Sequence, residues 1–148
     1  MLLSEKVGLM VWSPLAGGLL SGKYDLGEEG DSTQGTGRRA AFDFPPVDRD
    51  RARPALAALR EVAGERGCTV AQAALAWLLH QPVVTSVIIG AKRPDQLADN
   101  LRAVDVELTA ADLAKLDAAS ALPREYPGWM IERQSGLRPK GELPRRPR

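Results

Sequence analysis

The sequence predicts an α/β fold with parallel strands, and three observations carry that prediction. Two short apolar runs, Val7-Gly-Leu-Met-Val-Trp12 and residues 83–89, read as strands. Each is followed by glycine and then by a helical pattern. Between them, residues 13–82 leave room for the loop and helix that a parallel crossover requires.

Ser13-Pro14 ends the first strand, and Gly17, Gly18 and Gly22 follow in a loop that approaches something closely. Residues 25–50, rich in Gly, Asp, Ser, Thr and Pro, read as a long surface loop of the kind that is functional or disordered. From Arg51 the pattern turns helical, with Ala55, Leu56, Leu59, Val62 and Ala63 on one face. Gly64 and Gly67 are expected to end that helix. Thr69 opens the next, with Gln72 placed for a capping box. Val70, Ala73, Ala74, Trp77 and Leu78 form its stripe, and Ala71, Leu75 and Leu79 extend the apolar surface nearly all round, as in a buried helix. Pro82 stops it.

In the second strand, Val87, Ile88 and Ile89 form a β-branched run suited to a strand covered on both faces. Gly90 turns the chain, Lys92 and Arg93 supply two cations, and Pro94 suits the first helical position. Unpaired N–H groups at that helix start, beside two cations, make an anion site. Leu97, Leu101 and Val104 lie on one side of this helix. A last helix over 110–119 is capped by Thr109 with Asp112 at its third position, and Leu108 is placed to staple onto Leu113. Residues 121–148 read as irregular, ending in a basic, proline-rich tail (136–148) expected to be solvated. Two strands do not make a sheet that stands alone. The pattern therefore implies that this chain is incomplete, or that it pairs with another copy.

Composition excludes several classes. Among 148 residues, 20 basic and 19 acidic side chains leave a net charge of +1, so no global field draws the chain to nucleic acid or a membrane surface. The single cysteine, Cys68, forbids an internal disulfide and reads as a packed or inert thiol. No run is long enough to span a membrane, and Met1-Leu-Leu-Ser-Glu-Lys is too short and acidic for a signal peptide, so the expected compartment is the cytoplasm. With one histidine, His80, at the end of an apolar helix, no Ser/His/Asp set and no zinc cluster can be assembled. No catalytic or metal-binding residue is assigned.

Two ordered segments, Trp12-Ser-Pro-Leu-Ala-Gly-Gly-Leu-Leu-Ser-Gly-Lys-Tyr24 and Ile88-Ile-Gly-Ala-Lys-Arg-Pro-Asp-Gln-Leu-Ala-Asp-Asn100, closely resemble two signatures of the aldo-keto reductases. The branch they are most similar to is that of bacterial reductases related to potassium-channel β subunits. Tyr126-Pro-Gly-Trp-Met-Ile-Glu-Arg-Gln134 also resembles that branch's C-terminal, substrate-side segment. The resemblance runs over residues 1–135. It implies the C-terminal part of a (β/α)8 barrel, strands seven and eight with their flanking helices, in a fold of roughly 250 residues when whole.

By resemblance, Ser13, Pro14, Leu15, Ala16, Gly17 and Gly18 lie along the pyrophosphate of NADP(H), and Lys23 clamps the cofactor. Gly90 and Lys92 border the adenosine 2′-phosphate, while Gln96, Asp99 and Asn100 meet the adenine end. Arg39 corresponds to an arginine of the loop that folds over the cofactor. Gln96, Asp99 and Asn100 sit three and four apart, hence on one helix face. The family's Asp, Tyr, Lys and His tetrad lies on early strands with no counterpart here: Tyr24 and Tyr126 do not match its tyrosine. The resemblance thus implies a cofactor-binding segment of an NADPH-dependent oxidoreductase acting on carbonyls or alcohols. It is expected to be inactive alone, with Trp129 or its neighbours near the substrate. The alternatives are a non-catalytic nucleotide-binding module, or an interaction protein that pairs with itself or with an N-terminal half.

Overall fold

The computed structural model of the chain describes residues 1–24, 26, 46–123 and 125–135. A short helix α1 (Leu2–Glu5) leads into β1 (Leu9–Trp12), and a 3-10 segment (Ala16–Ser21) follows. Helices α2 (Arg49–Arg66) and α3 (Val70–Leu79) precede β2 (Val84–Ile88) and α4 (Pro94–Leu101). A second 3-10 turn (Arg102–Asp105), α5 (Ala110–Ser120) and α6 (Gly128–Ser135) complete the order. Arg39, most of the 25–50 loop and the 136–148 tail lie outside the described residues.

Local side-chain chemistry sets the helix boundaries. Asp48 Oδ1 accepts from Arg51 N at 3.2 Å and starts α2. Gly67, at φ 62°, ends it, whereas Gly64 lies inside the helix. Thr69 and Gln72 form the expected capping box at 3.1 Å in both directions. Pro94 occupies the first turn of α4, and Thr109 with Asp112 caps α5.

Helix α3 is the hub, packing on α2, β2, α4 and both 3-10 segments, while α5 packs on α2. Leu56, Val62 and Leu75 are the largest fully buried side chains. One core cluster joins α2, α3 and α5 through Leu59, Val62, Ala73, Ala76, Leu108 and Leu116. Leu113 packs against this cluster too, so the residues on both sides of the Thr109 cap meet the same core. A second cluster gathers Leu19, Tyr24, Leu26, Ala52 and Leu56.

The strands pair in parallel, as expected, with Met10 opposite Ser86, Val11 opposite Val87 and Trp12 opposite Ile88. Their burial differs from expectation. Met10 (62%), Trp12 (60%) and Ile88 (45%) are exposed, because the sheet has two strands among the described residues and α3 packs against one face of it. The stripe of α4 is exposed as well: Leu97, Leu101 and Val104 stay outside the core. The segment expected to be irregular after residue 121 contains one ordered piece, α6, in which Trp129 meets Tyr126 edge-on at 6.4 Å between ring centroids. No helix among the described residues is long and apolar enough to cross a membrane.

Candidate functional site

The register Trp12 opposite Ile88 makes both strands finish level, so the loop after β1 and the turn after β2 leave the sheet side by side. Between them lies a cleft of about 860 Å³. Ser13, Pro14, Leu15, Gly17, Gly18 and Lys23 line one wall; Gly90, Lys92, Gln96, Asp99 and Asn100 line the other. The structure thus brings together every described residue of the expected set except Ala16. That residue faces a separate apolar cavity of about 270 Å³ beneath the loop, beside Val11, Pro14, Leu20 and Trp77.

The loop's shape depends on left-handed backbone. Ser13 (φ 54°) and Ala16 (φ 48°) adopt it despite their side chains, followed by Gly17 (φ 68°) and Gly18 (φ 95°). Such conformations concentrate where a backbone is shaped around a ligand. Gly18 also leaves space: a Cβ there would come within 3.0 Å of Lys23 Nζ. The Lys23 ammonium in turn lies 5.0 Å from the centroid of the buried Tyr24 ring, a cation–π contact that fixes its place beside the loop.

On the opposite wall the three polar residues of α4 have distinct tasks. Gln96 Oε1 accepts from Lys92 N at 3.1 Å, which braces the turn. Asp99 Oδ2 accepts from Thr69 Oγ1 at 3.2 Å, and its Oδ1 accepts from Gln72 Nε2 at 2.8 Å. Asn100 lines the cleft directly. The two cations also differ. Arg93 is bound to Asp95, Nη2 to Oδ2 at 2.9 Å and Nε to Oδ1 at 3.0 Å, and this pairing raises the arginine's pKa and lowers the carboxyl's. Lys92 has no carboxylate partner among the described residues. Of the two cations of the β2–α4 turn, Lys92 is therefore the one not tied to a carboxylate among the described residues.

Sequence reasoning missed Trp12, Ser21, Thr69, Ala71, Ile88, Ile89 and Ala91 as cleft residues. For Thr69 a signal existed in the capping box, but its bond to Asp99 spans too much chain to be read locally. His80 lies off the cleft, its Nδ1 2.8 Å from the Ala76 carbonyl oxygen. Neither Tyr24, Tyr126 nor Trp129 is among the described cleft residues. Burial pushes the Cys68 thiol pKa up, which favours the unreactive thiol. The described residues hold no group of three or more His, Cys, Asp or Glu able to bind a metal.

The family model described as "Aldo/keto reductase family" matches residues 1–121. A probable voltage-gated potassium channel subunit beta of Arabidopsis thaliana is 38% identical over 104 residues, covering 68% of this chain and 30% of that protein. The L-glyceraldehyde 3-phosphate reductase of Escherichia coli K12 is 39% identical over 113 residues, covering 75% of this chain and 33% of the enzyme. Among solved structures, a thermostable aldo-keto reductase in complex with the inhibitor epalrestat superposes with a TM-score of 0.51 at 25% identity, covering 80% of this chain and 31% of that one. The chain thus spans about a third of the length of these relatives.

Proposed function

Because the chain belongs to the aldo/keto reductase family, a family of oxidoreductases, we propose that it is the C-terminal, NADP(H)-binding part of such a barrel. The observation that carries the reading is the cleft itself. Residues 13–23 and 90–100, remote in sequence, meet there around a strained loop and the cation of Lys92.

Two features suit a phosphorylated dinucleotide. The cradle at Gly17-Gly18 has no side chain to exclude a pyrophosphate, and Lys23 stands at its edge. Across the cleft, Lys92 offers a point charge at the start of α4, where helix N–H groups add to the positive potential. When bound, the dinucleotide supplies hydride to a carbonyl carbon or takes one from an alcohol. The chain's own residues hold its phosphates and adenosine end. A reductase of this kind also needs a proton donor, and the described cleft contains no tyrosine or histidine. We therefore expect cofactor binding without turnover by this chain alone.

Titration calorimetry of the chain with NADP+ tests the reading. Heat saturating at one site per chain supports it, and no binding at millimolar ligand overturns it. Adding NADPH with an aromatic aldehyde is expected to leave cofactor absorbance unchanged against buffer.

Exposed Met10 and Ile88 on the sheet favour a second role for the same chain, as part of an assembly with another polypeptide. Some relatives are named as channel subunits, which agrees with that role. Sedimentation velocity tests its self-pairing form: a monomer at all concentrations excludes it.

A further inference from the structure

Gln72 lies outside the cleft and is buried, with 6% of its surface exposed, yet all its side-chain hydrogen-bonding groups are used. Its Oε1 accepts from Thr69 N at 3.1 Å and closes the cap of α3. Its Nε2 donates to the Asp99 carbonyl at 2.9 Å and to Asp99 Oδ1 at 2.8 Å. The cap needs only the acceptor, which glutamate would supply equally well. What the amide adds is the donor, and that donor is directed wholly at α4.

Asp99 is the only carboxylate among the described residues of the cleft, where Lys23, Lys92 and Arg93 are the cations. With Oδ1 held by Gln72 and Oδ2 by Thr69, its charge is anchored toward α3. Resting on the dinucleotide reading above, we propose that Gln72 is a positioning residue of the cofactor site: it sets the placement of α4 and keeps the Asp99 carboxylate from opposing a bound phosphate.

The test is Gln72→Glu, which keeps the cap acceptor but sets a carboxylate against the Asp99 carboxylate and carbonyl. NADP+ affinity, measured by calorimetry on the full chain under conditions where circular dichroism shows it folded, is expected to fall about tenfold, the worth of one such hydrogen bond. Amide hydrogen exchange over residues 94–101 is expected to quicken while that of α2 stays slow. Adding Asp99→Asn gives the pair a donor again, now from the amide at position 99 to the introduced carboxylate, and is expected to recover the exchange protection of α4 and part of the affinity. Asp99→Ala removes the side-chain acceptor while keeping the backbone carbonyl, leaves the Thr69–Gln72 cap whole, and is expected to quicken exchange in α4 alone. Unchanged NADP+ affinity in Gln72→Glu, or exchange that rises equally across all helices, would show Gln72 to be a cap and core residue only. If the unaltered chain fails to bind NADP+, the dinucleotide reading falls, and exchange over residues 94–101 still decides whether Gln72 holds α4.

Discussion

Arg66 Nε donates to Asp112 Oδ2 at 2.7 Å, joining the end of α2 to the start of α5. The same carboxylate accepts from Thr69's counterpart at this cap: Thr109 N and Thr109 Oγ1, both at 2.8 Å. With Asp112 itself buried, these donors, Arg66 foremost, hold its carboxyl at about 2 against an ordinary 3.8.

The sign of the pH effect follows. A carboxyl with a lowered pKa favours the fold in its ionised form, so its contribution is complete above the unfolded value of 3.8 and fades as pH falls toward about 2. Urea unfolding of the chain is therefore expected to show stability dropping across that window. Asp112→Asn is expected to be less stable at pH 7 by about 2 kcal/mol and to show a flatter acid limb. An equally steep limb in the variant would assign the acid sensitivity to other groups.

Lys92 and Arg93 are adjacent and alike in sequence, but only Arg93 is tied to a carboxylate, that of Asp95. On the proposed dinucleotide site, Lys92→Ala is expected to weaken NADP+ binding at least about tenfold while changing NAD+ binding little, since the charge removed would face the extra phosphate. Arg93→Ala is expected to shift NADP+ affinity by less than about threefold, since an exposed, already paired cation contributes little. Calorimetric titration of both variants with both dinucleotides gives the comparison, and equal losses at the two positions would refute the distinction.

Two glycines of the β1 loop separate binding from stability. At Gly18 (φ 95°) an added Cβ meets the Lys23 side chain, whose flexible end can yield; at Gly22 (φ 79°) it meets Val70 Cγ2 at 2.9 Å and Cβ at 3.0 Å, on the core helix. Gly18→Ala is expected to cost about 1 kcal/mol of stability from the left-handed backbone and to displace the Lys23 ammonium, lowering dinucleotide affinity. Gly22→Ala is expected to cost more, about 2–3 kcal/mol, because strain and overpacking combine. Thermal unfolding and NADP+ titration of the two proteins check the contrast.

What the sequence made legible is what short-range chemistry controls. The Thr69–Gln72 and Thr109–Asp112 caps, Pro94 at its helix start and Gly67 at a helix end each depend on residues within one turn. The parallel pairing also followed from the strand–glycine–helix order. Burial was less legible, because it depends on what packs alongside. Val87, Ile88 and Ile89 have the composition of a covered strand, and Leu97 and Leu101 that of a packed stripe. Ile88, Leu97 and Leu101 are nevertheless exposed in this chain. Gly64 reads as a terminator but stays helical, since the left-handed turn that ends α2 falls at Gly67. At the site, the spacing of Gln96, Asp99 and Asn100 puts them on one helix face, with Lys92 in the turn before it. The bonds from Thr69 and Gln72 to Asp99 cross between helices and leave no local trace.

The location of the core gives a last prediction. In a parallel α/β unit the strands are normally the most buried elements, yet here the largest fully buried side chains, Leu56, Val62 and Leu75, all belong to α2 and α3. Leu75, 1% exposed, sits at the middle of the hub helix, so Leu75→Ala removes apolar contacts and leaves a cavity. Its expected cost is about 3 kcal/mol. Met10, in β1 with 62% exposure, loses little on truncation, and Met10→Ala is expected to change stability by less than about 0.5 kcal/mol. Urea midpoints of the two variants, taken in the monomeric range, measure the difference. A large loss for Met10→Ala would mean that Met10 is covered in solution, and the concentration dependence of that loss would tell whether a second copy covers it.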